Sequence, residues 1–289
     1  MGIASLDDKK GFDMAKFAGL FTGLCLLLFL VLPEPVQSAE EAELMERWLV
    51  TDSLSKRTVD HTLWEKFLAS YLTANDAGAV VFDYGAVGDL DLEALTSYIE
   101  ILSRTDVDRL NRLEQKAFWI NAYNAIVVSV ALSEYPVKSI NDIGGWFLAP
   151  GPWQAKRFRV YQINLSLNDI YHRILRPIWN DPRIHYALSC GALGCPAPKA
   201  TPYKGETIES DLDMAARIFI NQGPAIFFIK GNGINISRIY DWYEEDFGAS
   251  DGEILDHIRS LADENLARQL APVIKISGHG FDWALNDQR

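Results

Sequence analysis

The spacing of apolar residues predicts a chain of helices interrupted by short strands. Trp64, Phe67, Leu68, Tyr71 and Leu72 recur at i, i+3, i+4, i+7 and i+8, the pattern of an amphipathic helix. Ahead of it, residues 40–51 place Leu44, Trp48 and Leu49 on one side and predict a further helix. Residues 78–85 read as a short extended piece and 92–102 as a second helix. Asp106 reads as the cap of a third helix, which begins near Val107 and ends before Pro136. Residues 156–163 alternate as a strand does, and Ser166-Leu-Asn-Asp169 forms a capping box, with Asp in place of Glu, opening a helix over 167–175. The apolar run 184–188 predicts a short buried strand; Gly191, Gly194 and Pro196 stop it, so Cys190 falls at its end. A helix over 206–221, a hairpin of 225–229 and 234–237 across Gly231-Asn232-Gly233, a helix over 253–262 and a strand over 273–277 complete the chain. No internal repeat or flexible linker divides it, so the fold class is α+β. Several helices pack on a small mixed or antiparallel sheet in one compact domain.

The 289 residues are 48% hydrophobic, enough to bury a core without staples. A formal charge of -12 and the lack of a basic stripe disfavour nucleic acid and anionic lipid as partners. Eight Trp and eleven Tyr point instead to aromatic-lined clefts for a small-molecule or peptide ligand. Residues 17–32 are apolar apart from Gly19, Thr22 and Gly23, with Lys16 before them and Ser38-Ala39 after. The run falls short of the ~20 residues that cross a bilayer comfortably. It reads as an export signal spanning 1–38, or alternatively as an N-terminal anchor and the chain's one route to a membrane. Residues 39–75 follow as a helical extension and 76–289 as the domain, in the periplasm or outside the cell. Removal of the signal takes Cys25 with it and leaves Cys190 and Cys195, and a cysteine pair in an exported chain is first a disulfide candidate.

Two chemistries compete for that pair. As a nucleophile, Cys190 would draw on the N–H groups of residues 191–195 to lower its pKa and to hold an oxyanion. In a straight strand His185, five residues earlier, faces the opposite way and lies roughly 16 Å off at ~3.3 Å per residue. A bend must therefore bring it back, or His172 or His279 must serve as the base. Asn124 or Asp246 would orient the imidazole, giving a thiol-dependent amide or acyl hydrolase or transferase. The alternative is a Cys190–Cys195 disulfide, structural or redox-active, in a non-catalytic envelope binding or scaffold module whose pocket Trp153, Trp242 and Tyr243 line. His185, Cys190 and Cys195 with Asp246 or His172 have the donor types for zinc, but the spacing fits no finger pattern. No metal or cofactor is assigned. Asn121 and Asn124 lie three apart in an apolar helix; either they bond the backbone of a neighbouring loop, or one points into a site. His172, Asp169 and Arg176 share a helix face, with Asp169 expected at the surface. His61 and His257 are expected at the surface too.

Several stretches taken together resemble a known family. They are Phe118-Trp-Ile-Asn-Ala-Tyr-Asn124, Ser166-Leu through Ile174-Leu-Arg176, Arg183 to Ala192 followed by Cys195-Pro196, Tyr240 with Trp242-Tyr243 and Asp246-Phe247, and Phe281-Asp-Trp283. In this order they are similar to the domain of unknown function 547 family over roughly residues 76–286. The resemblance implies a single compact domain found in exported bacterial proteins and in plant proteins, and it brings no settled activity or cofactor. Tyr171 stands before His172 where that family suggests an acidic residue. The expected site gathers Asn121, Asn124, His172, Arg176, His185, Cys190 and the Trp242-Tyr243-Asp246 segment.

Overall fold

The helix Arg112–Ser133 is buried around its whole circumference, from Glu114 through Val128 and on to Ala131, as befits a helix without a polar face. The computed structural model that shows this describes residues 43–76, 78–144, 151–248 and 250–288. The expected signal segment 1–38, with Cys25, lies outside the described residues. Asn111 starts the central helix by accepting from the N–H groups of Leu113 and Glu114. Asp106, the expected cap, instead precedes a separate 3-10 turn, Val107–Arg109, and accepts from Tyr161. Thr62–Tyr71 (α1) packs on Asp89–Arg104 (α2), and α2 packs on the central helix (α3). The helix expected over 40–51 is a single 3-10 turn, Glu46–Leu49, in which Trp48 is buried edge-on against Trp119 at 4.9 Å. Trp48, Trp64 and Phe67 belong to the same core as α3, so the N-terminal extension is part of the packed body.

Three small sheets complete the α+β fold among the described residues. Leu72–Ala74 (β1) and Val80–Phe82 (β2) pair antiparallel. The alternation expected to form one strand over 156–163 instead folds back on itself. Phe158–Val160 (β3) and Ile163–Leu165 (β4) pair across Tyr161 and Gln162, whose φ angles of 48° and 69° make a two-residue turn of the left-handed kind that suits twisted hairpins. Ile226–Lys230 (β5) and Gly233–Ser237 (β6) form the expected hairpin, and Lys275–Gly280 (β7) adds to β6 in parallel. A second core joins this sheet to Ile208–Gln222 (α5), Ile239–Trp242 (α6), Glu244–Phe247 (α7), and Asp251–Leu261 (α8).

Two segments before the cysteines depart from expectation. The run 184–188 is not a strand: Pro182–Tyr186 is a 3-10 turn, opened by Asp181 accepting from the Arg183 N–H with Pro182 in the first-turn position that suits its fixed φ. A short apolar run that is buried on all sides carries no period to tell the two apart. After Leu165 the capping box forms as read, with Ser166 N–H donating to Asp169 Oδ2 at 2.7 Å and Asp169 N–H to Ser166 Oγ at 3.1 Å. The turn it opens, Asp169–Leu175, is π-helical, and the Arg176 N–H reaches back five residues to the Tyr171 carbonyl before Arg176–Trp179 (α4) continues as a short α-helical turn.

Candidate functional site

The two asparagines of α3 fasten the loops on either side of the cysteines. Asn124 Nδ2 donates to Ala187 O and its Oδ1 accepts from the Ser189 N–H, both at 2.9 Å. One turn earlier Asn121 accepts from the Tyr203 N–H at 3.0 Å and donates to the Tyr203 carbonyl at 2.8 Å. Between these fastenings Cys190 and Cys195 form a disulfide, their Cα atoms 5.7 Å apart, within the span such bonds use. Gly191 turns the chain with φ of 77°, and a Cβ there would fall 2.9 Å from Ile140 Cδ1. The expected nucleophile is thus occupied, since a sulfur in a disulfide is not a thiolate. The same bond removes both sulfurs as thiolate donors to zinc. Among the described residues no three His, Cys, Asp or Glu side chains are arranged to hold a metal.

His185, carried on the 3-10 turn, has both ring nitrogens engaged. Nε2 lies 2.7 Å from Asp246 Oδ2 and Nδ1 2.6 Å from the Tyr171 hydroxyl. Burial pushes the Asp246 carboxyl up, but the bonds from His185 and Arg176 outweigh it and bring it down to about 2. Burial lowers His185, so the ring is neutral. An ionised carboxylate only accepts, so the ring proton sits on Nε2 and Nδ1 accepts from the Tyr171 hydroxyl. His185 therefore has no free nitrogen with which to activate Cys190. Arg176 donates from Nε to Asp246 Oδ2 at 2.6 Å and from Nη2 to Glu245 Oε1 at 2.6 Å, with a second contact to Asp246 Oδ1 at 3.2 Å. Its Nη1 lies 3.3 Å from His172 Nδ1, and because arginine cannot accept, the His172 proton is on Nε2. Burial, reinforced by the charge of Arg176, drives His172 down to about 3. The Tyr243 ring covers the group, 5.1 Å from the Arg176 guanidinium carbon and 4.4 Å from the His185 ring.

The fold thus gathers His172, Arg176, His185, Tyr243 and Asp246, and it uses Asn121, Asn124 and the cysteines elsewhere. Trp242 turns away from its neighbour Tyr243 to pack on Phe281 and Trp283 at 4.8 and 5.5 Å. Tyr171 and Glu245 complete the group without having been read from the sequence, because a π-helical turn leaves no mark in an apolar pattern. Asp246, His185 and Tyr171 stand in the order carboxylate, imidazole, hydroxyl, which in hydrolases activates an alcohol. Here the hydroxyl is a phenol packed between Tyr123 and Tyr243 at 5.6 and 5.2 Å, and burial holds it far above its ordinary value of 10. The array fastens the π-helical turn, the 3-10 turn and α7 to one another.

Three polar residues expected at the surface are buried or engaged. His61 Nδ1 lies 2.6 Å from the Tyr98 hydroxyl and its Nε2 3.4 Å from Asn121 Nδ2, and His257 Nε2 lies 2.8 Å from the Tyr186 hydroxyl. Burial lowers each of these histidines to about 4. Asp169 is buried by its capping bonds and holds Lys156 and Arg173. Beyond Cys195 the chain forms one wall of a pocket of about 400 Å³, through Ala197, Pro198 and Lys199. The β1–β2 hairpin and α5 supply the other walls, with Tyr186 and Tyr203 also lining it.

Residues 107–220 match the family described as Protein of unknown function, DUF547. The DUF547 match runs from the turn before α3 into α5, so it takes in both asparagines, the π-helical turn, His185 and the disulfide. Tyr243, Glu245 and Asp246 lie beyond its end. No curated protein and no solved structure matches the chain.

Proposed function

We propose that this chain is an exported, non-catalytic binding domain in which the cysteine pair is structural. One observation carries the reading: the disulfide pins the start of the segment that walls the pocket, Cys195 being followed directly by the lining residues Ala197 to Lys199. A cysteine pair closed in this way suits an oxidising compartment, in keeping with the apolar N-terminal run. The competing hydrolase or acyltransferase at Cys190 needs the bond reduced and, with His185 as its base, that imidazole freed from Asp246 and Tyr171. Replacing both cysteines by serine separates the two. Closing a loop this short contributes about 2 kcal/mol, so the double variant, with the signal segment and its Cys25 removed, folds with a modestly lower unfolding midpoint and labels with no thiol reagent. A thiol in the unreduced parent that reacts rapidly with iodoacetamide at Cys190, before any denaturant is added, refutes the structural role.

A further inference from the structure

We infer that the pocket behind Cys195 is a site for a small, uncharged, largely hydrocarbon molecule carrying one hydrogen-bond acceptor, an inference that rests on the binding-domain reading above and specifies its ligand. Three exposed apolar side chains converge at its mouth from two elements. Met214 and Ile218, one helical turn apart on α5, are 57% and 39% exposed, and Val80 on β2 is 41% exposed. Apolar side chains gathered at the rim of a concavity mark a binding site, unlike the same residues scattered singly. A volume near 400 Å³ falls in the range that small-molecule sites use.

The polar groups of the wall narrow the ligand class. Lys199 and Asp211 both line the pocket and neutralise each other at 3.3 Å. Lys199 Nζ also donates to Thr201 Oγ1 at 2.5 Å, and Asp211 accepts from the Thr207 hydroxyl at 2.8 Å. Both charges are satisfied within the protein, so a charged ligand finds no counter-ion here and meets a chain of formal charge -12 around it. The Tyr186 hydroxyl is taken by Tyr240 and His257. Tyr203 differs. Its backbone is held by Asn121 and its side chain is 3% exposed, yet its hydroxyl makes no hydrogen bond among the described residues. Tyr203 lines the pocket, and an O–H that the protein leaves unused donates to an acceptor occupying the space beside it. An apolar body with a single ketone, ester or ether oxygen satisfies the site, whereas a carboxylate or a pure hydrocarbon does not.

The neutral fluorophore prodan, a naphthalene bearing one ketone, has this chemistry and reports polarity through its emission. It is expected to bind the full chain saturably at one site with blue-shifted emission, while the anionic anilinonaphthalene sulfonate binds more weakly. Tyr203→Phe, which removes only the donor, is expected to weaken prodan by roughly fivefold to tenfold. Ala215→Trp, which fills the pocket from α5, is expected to abolish binding. Met214→Trp, at a half-exposed position where added bulk is tolerated, narrows the mouth and serves if the first filling variant does not fold. Prodan that fails to saturate, or that binds a folded filling variant as well as the parent, overturns the assignment. So does sedimentation showing a dimer that Met214→Asp dissociates, since the occupant is then a second copy. None of these readouts involves the cysteines, so this site fails or stands separately from the structural role of the disulfide.

Discussion

Removing the Asn124 side chain tests what the amides of α3 are for. In Asn124→Ala the Ser189 N–H and the Ala187 carbonyl each lose the bond of 2.9 Å that the amide supplies, and neither has another partner among the described residues. Both lie in buried chain immediately before Cys190. An unsatisfied buried polar group costs about 1–3 kcal/mol, so two of them amount to about 2–6 kcal/mol, a large share of a typical stability of about 5–15 kcal/mol. Urea unfolding followed by circular dichroism measures it, with the loss read from the midpoint at an unchanged slope. Asn124→Asp does not rescue, because one oxygen still accepts from Ser189 while the other faces the Ala187 carbonyl. A loss below about 0.5 kcal/mol for the alanine variant refutes the loop-fastening role and revives that of a residue aimed into a site, because surface substitutions away from special features stay within that range.

Two further outcomes follow from buried groups. A Cβ at Gly205 would lie 2.6 Å from Glu114 Oε2 and 2.8 Å from the Glu114 backbone nitrogen, where the buried carboxylate accepts from the N–H groups of Gly205 and Val59. Helix backbone cannot retreat from it, so Gly205→Ala is expected to lose about 1–3 kcal/mol in the same urea assay, and a neutral result refutes the close approach. In acid, His61 and His257 stay neutral in the fold down to about 4 and His172 down to about 3, whereas in the unfolded chain they take up protons near 6.5. Their depressed values contribute stability that is complete above 6.5 and is lost as pH falls toward 4, on the order of 3 kcal/mol for His61 alone; Asp246 adds a further loss from 3.8 down to about 2. Melting temperature is expected to fall steadily from pH 7 to pH 4, and His61→Gln to flatten part of that slope; a flat parent profile contradicts the buried neutral rings.

Much of the fold was legible because its helices and hairpins have periods. The repeat at Trp64 to Leu72, the alternation near Phe158 and the Gly-Asn-Gly turn after β5 each point to the right kind of element, with errors at the ends set by caps such as Asn111. The segments before the cysteines were not legible, for a physical reason. Residues 184–188 are buried on every side, so neither a period of two nor one of three and a half is imposed on them, and only Asp181-Pro182 marks the 3-10 turn. The site divides along the same line. His172 and Arg176 share a face at α-helical and at π-helical pitch, and Asp246 stood out as an acid among aromatics. Tyr171 joins them only through a π-helical turn, and His61 and His257 are buried by partners distant in sequence, Tyr98 and Tyr186. The pocket wall at Pro198 and Lys199 left no mark in the sequence, because lining a cavity depends on α5 and the β1–β2 hairpin, which no local pattern brings there.

The structural role of the cysteine pair turns on the redox state of Cys190 and Cys195. Peptide mapping of unreduced protein purified from an oxidising compartment decides it, because both residues fall in the one tryptic fragment from Ile184 to Lys199. An internal disulfide, read as a fragment lighter by two hydrogen atoms that takes up no alkylating agent until a reductant is added, is the expected result. A fragment fully alkylated at Cys190 without reduction contradicts the account and returns the residue to nucleophilic chemistry.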